Sequence, residues 1–195
     1  EINLAGFVEL TEALGGVPVC LNHPVHDTYS GVDLPAGYQT VNGPVALAFV
    51  RQRHGLEGGD LDRIARQQAF IAGLAQRVQS EGTLTNPDTL SRLLAVVTRN
   101  VVIDKGWDLQ QALAQVGRLA GADLSFRTIP TGRPDLPTPV DGVAVQIDPA
   151  AVRTFVDDQF DGTPTPATPS ASPAGPAAPP TTSRVITAGG VPCVN

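Results

Sequence analysis

The stretch from Gly162 to Ser183 contains only threonine, proline, alanine, serine and glycine, and it limits what the rest of the chain can fold into. Such residues bury too little apolar surface to offset the entropy lost on ordering, so a disordered or extended linker is predicted there. A folded domain is therefore predicted within residues 1–160, since hydrophobic residues make up 42% of the chain. Residues 161–184 are the linker, and residues 185–195 are a short, partly apolar tail.

Helical and strand patterns alternate within residues 1–160. Apolar residues recur at three- and four-residue spacing in the helical segments, and the strand segments are short runs with apolar alternation. Helices are predicted to start near Phe7, Pro44, Leu61, Asn86, Trp107 and Pro149, and strands to lie within 17–21, 32–42, 124–129 and 143–147. This order predicts an α/β fold of mixed α+β type, in which helices pack around a central mixed sheet.

The basic residues are unevenly distributed along the chain. Four of its thirteen lysines and arginines fall within sixteen residues, although the net charge is −6. These four are Arg51, Arg53, Arg63 and Arg66, and His54 adjoins them. Because one guanidinium can donate to two phosphate oxygens, an arginine cluster in an acidic protein predicts an anion site, with phosphate or pyrophosphate as its best ligand.

The residues around Asp60 have the pattern of a helix start. Gly58 and Gly59 predict a turn, Asp60 is a candidate N-cap, and apolar residues at helical spacing follow. Residues three and four positions apart share one helix face, so Asp60, Arg63 and Gln67 are predicted to lie together. Backbone N–H groups and the helix dipole at such a start also favour an anion.

These residues alone leave two interpretations open. The arginines either bind an anionic ligand or pair with Glu57, Asp60 and Asp62 on a solvated surface. A general nucleic-acid binder is disfavoured by the acidic balance and by the scarcity of aromatic residues near the arginines. No Gly-Lys-Ser/Thr phosphate loop is present, and no run of eighteen apolar residues predicts a membrane span.

A longer pattern surrounds the arginines. The segment ALAFVRQRHGLEGGDLDRIARQQAFI closely resembles the signature of the LytR–CpsA–Psr family, and the preceding GFVELTEALGGVPV and DLPAGYQTVNGPVALAFVR follow in the family's order. The resemblance is strong from about residue 2 to 80 and continues more weakly to about 160. R-x-R, GGD-x-x-R and RQQ in succession are more specific than any single short motif, so the resemblance favours the anion site.

The resemblance implies a role for individual residues. The positions matching those that bind the pyrophosphate of a lipid-linked donor are Arg51, Arg53, Arg63 and Gln67. Asp60 matches an acidic position of the same pocket, where it would orient the arginines or assist proton transfer, and with Arg63 it is the predicted catalytic pair. Arg66 and His54 are expected to support the site, with a surface salt bridge as the alternative for Arg66.

The family resemblance also implies the reaction. Members transfer a glycopolymer from a polyprenyl-pyrophosphate carrier to a peptidoglycan hydroxyl on the extracytoplasmic face of the membrane, with a divalent cation, Mg²⁺, as cofactor. The metal ligands, part of the sheet and the membrane-anchoring helix are expected in an N-terminal part outside this chain, and no metal ligand is assigned within it. A lipid pyrophosphate hydrolase using the same pocket and a non-catalytic wall-binding module remain alternatives.

Two cysteines are present, Cys20 and Cys193. For the extracytoplasmic protein that the resemblance implies, an even count without metal-ligand spacing predicts a disulfide between them. The disulfide would tether the tail to the domain across the linker. The alternative is a pair of free thiols, one buried in the domain and one in the tail.

Overall fold

The structure is a computed structural model that describes residues 3–80, 86–102, 124–140, 142–160, 185–187 and 189–195. These residues belong to two compact units. The first comprises residues 1–126 together with 186–195, and the second comprises residues 127–185. The predicted helix from Trp107 and the predicted linker 161–184 lie outside the described residues.

The candidate site belongs to the first unit. The helices of this unit are α1 (Leu4–Ala13), α2 (Gly43–Arg51), α3 (Asp60–Gln79) and α4 (Pro87–Asn100). The first four strands of the unit are β1 (Val17–Leu21), β2 (Val25–Asp27), β3 (Val32–Leu34) and β4 (Gly37–Val41). Strand β5 (Ser125–Arg127) pairs with β8 (Val185–Thr187), and β9 is Cys193–Val194. The second unit contains a hairpin of β6 (Leu136–Thr138) and β7 (Gly142–Ala144), followed by α5 (Pro149–Phe160).

Strand β1 is the centre of a three-stranded mixed sheet with the order β4-β1-β9. It runs antiparallel to β4, with Val17 opposite Val41, and parallel to β9, with Cys20 opposite Cys193. Four of its five residues are buried, a pattern typical of a strand covered on both faces. The predicted α/β fold with a mixed sheet is therefore confirmed.

Helix α3 packs directly on β1. A Cβ atom on Gly73 would lie 2.1 Å from the Pro18 carbonyl oxygen, so only glycine permits this close approach of helix and strand. On the same helix, the Phe70 ring lies 5.3 Å from the ring of Phe7 and 6.5 Å from that of Phe49, measured between centroids. Helix α3, which carries the signature residues, is thus fixed against the sheet and against α1 and α2.

The sequence predicted the longer elements better than the short ones. Strand β2 was missed because its three residues include an exposed histidine, His26, and a buried aspartate, Asp27. The strand predicted over 143–147 is observed at Gly142–Ala144, and its partner β6 lies in residues for which no strand was predicted. Two-residue and three-residue strands contain too few positions for apolar alternation to be recognised.

The predicted disulfide between Cys20 and Cys193 is confirmed, with the two Cα atoms 4.3 Å apart. The tail is more than tethered, because β9 completes the central sheet. The Asn22 backbone N–H donates to the Val194 carbonyl at 2.9 Å, and the side chains of Ile186 and Val194 are buried in the core. The tail is therefore part of the folded unit.

We expect the disulfide to contribute strongly to stability, because it joins residues 173 positions apart. Loop-closure entropy alone predicts that Cys193→Ser lowers the free energy of unfolding by about 5 kcal/mol, and the melting temperature should fall on the order of 10 °C. Thermal unfolding followed by circular dichroism measures the effect. A reducing agent should lower the melting temperature of the unsubstituted chain but not that of Cys193→Ser. Equal melting temperatures for the two proteins would contradict the prediction.

Candidate functional site

Three of the predicted site residues meet where α3 begins. Arg53 donates two hydrogen bonds to the carboxylate of Asp60, from Nε to Oδ1 and from Nη2 to Oδ2, each 3.1 Å long. Arg63 lies one turn further along α3, with its Nη2 3.4 Å from Asp60 Oδ1. One carboxylate is thus shared by two guanidinium groups, so the pair of arginines keeps an excess of positive charge.

The turn before α3 positions Asp60. Gly59 has φ +56°, in the left-handed region that favours glycine, and Asp60 is the first residue of the helix. The Gly58 backbone N–H donates to Asp62 Oδ2 at 2.8 Å, and a Cβ atom on Gly58 would lie 2.7 Å from the Asp62 carboxylate. The GGD sequence therefore folds into a turn that ties Asp62 to the backbone and leaves Asp60 to the arginines.

Of the three carboxylates that the surface ion-pair interpretation named as partners of the arginines, one forms such pairs. Asp60 pairs with Arg53 and Arg63, whereas neither Glu57 nor Asp62 has an arginine within 4.0 Å among the described residues. The acidic residues therefore neutralise the arginine cluster only partly. Partial neutralisation is compatible with binding an anion of more than one charge.

Arg51 and Gln67 border this arrangement. Arg51 is the exposed last residue of α2, where a cation also interacts favourably with the helix dipole, and it pairs with no carboxylate in the described part of the chain. The Gln67 side chain donates from Nε2 to the Val50 carbonyl at 3.3 Å and so connects α3 to the end of α2. The Nε of Arg63 is buried and has no hydrogen-bond partner among the described residues.

Arg66 occupies a different environment from the other three arginines. Its side chain is fully buried, and its guanidinium donates from Nη1 to Gln52 Oε1 and from Nε to the backbone carbonyl of Asn195. The guanidinium carbon lies 5.2 Å from the centroid of the Phe49 ring, within the range of a cation–π contact. Burial lowers the pKa of Arg66 to about 10, although the charges of Asp62 and Asp27 act in the opposite direction.

Among the described residues no aspartate or glutamate forms an ion pair with Arg66, and the partners of its guanidinium there are the Gln52 side-chain oxygen and a main-chain oxygen of Asn195. Gln52 is also buried, and its Nε2 donates to the His54 carbonyl at 2.9 Å. By binding Gln52, Arg66 therefore supports the loop that carries Arg53 and His54. The sequence contained no signal for Gln52 or Asn195, because these contacts join residues far apart in the chain.

His54 contacts an aromatic residue that the sequence did not single out. The rings of His54 and Tyr29 are stacked, with centroids 4.0 Å apart and an angle of 24° between planes. Tyr29 lies in the tight turn between β2 and β3, where the buried Asp27 accepts hydrogen bonds from the Tyr29 N–H at 3.0 Å and the Ser30 hydroxyl at 2.7 Å. The Ser30 hydroxyl bond is the main cause of a lowered pKa of Asp27, with backbone hydrogen bonds and His54 contributing.

The described residues do not offer a site that fits a divalent cation. They contain no group of three or more histidine, cysteine, aspartate or glutamate side chains close enough to share a metal. Mg²⁺ requires oxygen ligands such as carboxylates, and the Asp60 carboxylate is paired with two guanidinium groups whose positive charge disfavours a cation beside them. The predicted cation therefore stays a prediction, and no chemical step is assigned to it.

None of the helices among the described residues is both long enough and apolar enough to cross a lipid bilayer.

Comparison with known proteins relates the chain to envelope enzymes. The LytR_cpsA_psr family model matches residues 1–146. The cell wall biosynthesis protein LcpA of Corynebacterium glutamicum is 48% identical over 164 residues, which cover 81% of this chain and 30% of that protein. The polyisoprenyl-teichoic acid–peptidoglycan teichoic acid transferase TagU of Enterococcus faecalis is 32% identical over 114 residues, which cover 58% of this chain and 36% of that protein. The chain thus spans about a third of the length of these relatives.

Solved structures share the fold. The LytR-Csp2A-Psr enzyme from Actinomyces oris has a TM-score of 0.61 at 24% identity, with 80% of this chain and 61% of that one covered. The structure of TagT bound to LI-WTA has a TM-score of 0.53 at 16% identity, and the match covers 83% of this chain and 58% of that one. At these identities the likeness is evidence for the fold alone.

We expect Arg66→Met to lower the free energy of unfolding by about 2 kcal/mol, because it leaves the buried Gln52 side-chain oxygen without its donor and removes the hydrogen bond to Asn195. Urea unfolding measures the loss. The matched control is Arg92→Met on α4, where an exposed arginine donates to the Asp88 carbonyl of its own helix and has no other partner among the described residues, so the change should stay within about 0.5 kcal/mol. An Arg66→Met protein as stable as the original would mean that these hydrogen bonds only offset the cost of burying the charge.

Proposed function

Because the chain belongs to the LytR–CpsA–Psr family, we propose that it is part of an envelope enzyme that transfers a glycopolymer from a polyprenyl-pyrophosphate carrier to a peptidoglycan hydroxyl. The two relatives named above support this direction, since one is a cell wall biosynthesis protein and the other transfers teichoic acid to peptidoglycan. The disulfide is in keeping with an extracytoplasmic location, where such bonds persist. Peptidoglycan is the proposed acceptor, and the cell envelope the proposed location.

The observation that carries the proposal is the shared carboxylate. Asp60 holds Arg53 and Arg63 side by side, and Arg51 lies at the nearby end of α2. A pyrophosphate diester carries two negative charges and several oxygens in a compact group, so it would satisfy guanidinium donors that one carboxylate cannot.

The proposed reaction is a phosphoryl transfer. The acceptor hydroxyl attacks the phosphorus next to the donor sugar and forms a new P–O bond, while the bond from that phosphorus to the bridging oxygen breaks. Polyprenyl phosphate leaves with the electron pair, and the hydroxyl proton passes to solvent or to a base. Arg53 and Arg63 would stabilise the charge that develops on the phosphoryl oxygens and on the leaving phosphate.

Asp60 fits the role of orienting the arginines better than that of a base. Arg53 donates to both of its oxygens, and Arg63 approaches one of them, so few lone pairs remain for an incoming proton. We therefore assign Asp60 to positioning and Arg63 to charge stabilisation. Gln67 keeps α3 in register with the end of α2, and Arg66 supports the loop from beneath.

Binding of a lipid pyrophosphate tests the location of the site. Arg53→Ala and Arg63→Ala should each weaken binding of geranyl pyrophosphate at least about tenfold, because each removes a charge-assisted contact. Titration calorimetry measures the affinity, and circular dichroism verifies the fold of each variant. Arg92→Ala is the control, since it removes an equal charge from the exposed face of α4. Unchanged affinity in folded Arg53→Ala and Arg63→Ala proteins would contradict the proposed site.

A second test separates the two roles of Asp60, using donor turnover by the protein at its full encoded length. For Asp60→Asn we expect the KM for the donor to stay within about threefold while kcat falls on the order of 100-fold, because the arginines remain but lose their alignment. An orienting role leaves the acid limb of the pH–rate profile in place, whereas a base role removes it.

Donor cleavage that does not depend on an acceptor would favour the hydrolase.

A further inference from the structure

We infer that Tyr29, stacked on His54, forms a subsite for the pyranose ring that is attached to the donor's pyrophosphate. The inference rests on the proposed function, because it places the sugar next to the arginines that would hold the phosphates. It adds a residue from outside the signature segment, on the turn between β2 and β3. It also gives the site a means of recognising the carbohydrate as well as the lipid pyrophosphate.

The exposure of Tyr29 is the first observation. The side chain is 81% exposed although the residue is held in a fixed turn, and one face of its ring lies against His54. A singly exposed tyrosine is ordinary, as Tyr38 with 76% exposure shows, and what sets Tyr29 apart is that its ring stacks on the residue that follows Arg53. The phenol ring combines an apolar face with a hydroxyl that can bond to a sugar hydroxyl.

The second observation is that both partners of the stack are anchored from behind. The buried carboxylate of Asp27 accepts hydrogen bonds from the Tyr29 N–H and the Ser30 hydroxyl and so fixes the turn. The His54 carbonyl accepts from Gln52, which Arg66 binds in turn. These hydrogen bonds fix the backbone on both sides of the stack, so less conformational entropy is lost there when a ligand binds.

The third observation is the continuity of the stack with the arginines. His54 directly follows Arg53, so their Cα atoms are about 3.8 Å apart, and the Arg53 guanidinium lies on Asp60. In the donor the first sugar is joined to its phosphate by a single oxygen. A phosphate bound at Arg53 would therefore carry its sugar into the neighbourhood of His54 and Tyr29.

The chemistry of the two surfaces is complementary. One face of a pyranose ring presents C–H groups that the ring oxygens polarise positively, and the face of an aromatic ring is negative. Stacking these faces excludes water from apolar surface while the sugar hydroxyls at the edge stay solvated. The subsite would thus select a sugar over a plain alkyl group on the same phosphate, through shape and apolar contact rather than through charge.

Two probes of equal charge separate the subsite from the pyrophosphate site. The first is geranyl-pyrophosphoryl-N-acetylglucosamine, and the second is the P1-geranyl-P2-methyl pyrophosphate diester, which lacks only the sugar. Affinities for this chain are measured by titration calorimetry at the same salt concentration. We expect Tyr29→Ala to weaken binding of the sugar-bearing probe about tenfold, with the methyl diester bound as before. Tyr29→Phe should retain most of the affinity, because the ring face remains.

Tyr38→Ala is the matched control, since Tyr38 is a similarly exposed tyrosine on β4 and should affect neither probe. Equal affinities of the original chain for the two probes would overturn the inference. A loss in Tyr29→Ala that is the same for both probes would also overturn it, since the stack would then serve only to support the arginine loop. If the original chain binds neither probe, the proposed pyrophosphate site fails and the sugar subsite fails with it. If it binds both probes, Arg53→Ala should weaken both equally, and this equal loss distinguishes damage to the pyrophosphate site from damage to the sugar subsite.

Discussion

The buried guanidinium of Arg66 is the contact on which the site's geometry depends. It belongs to α3, it bonds to Gln52 in the loop after α2, and it bonds to Asn195 in the tail that completes the sheet. The side chain of Arg66 therefore joins its own helix to the preceding loop and to a tail 129 positions away in the sequence. Arginine suits this role because its planar group presents several donors in fixed directions and stacks on an aromatic ring such as Phe49. The cost is a buried charge, which appears as the lowered pKa.

The tail contributes to this arrangement in two ways. Strand β9 pairs with β1 and supplies the buried Val194 to the core, and the next residue, Asn195, supplies the carbonyl that receives Arg66. The disulfide holds the tail at the same register, because Cys20 and Cys193 are opposite each other in the sheet. A segment that the sequence predicted only to be tethered thus contacts Arg66, which supports the loop of the candidate site.

The parts of the molecule that could be predicted from the sequence are those set by local patterns. The helix from Asp60, its glycine turn and the nearness of Asp60 to Arg63 follow from spacing along one helix, and the signature residues could be named from the family resemblance. Arg66 was harder to interpret, because spacing alone does not decide whether an arginine faces solvent or the core. The contacts of Tyr29 with His54 and of Arg66 with Asn195 depend on tertiary packing between distant segments. The divalent cation and the peptidoglycan acceptor stay predictions.

The charge balance at Arg53 and Arg63 explains why a single aspartate pairs with them. Two like charges about 4 Å apart repel by roughly 1 kcal/mol in water and about 4 kcal/mol near a protein surface. Asp60 removes much of that repulsion between Arg53 and Arg63, so the loop and the helix can hold both guanidiniums together before any ligand arrives. A second carboxylate on the same pair would leave no net charge to attract an anion. The hydrogen bond from the Gly58 backbone N–H keeps the Asp62 carboxylate away from Arg53 and Arg63. Asp60 alone therefore neutralises the two arginines, which lowers their mutual repulsion and still leaves a positive charge to bind pyrophosphate.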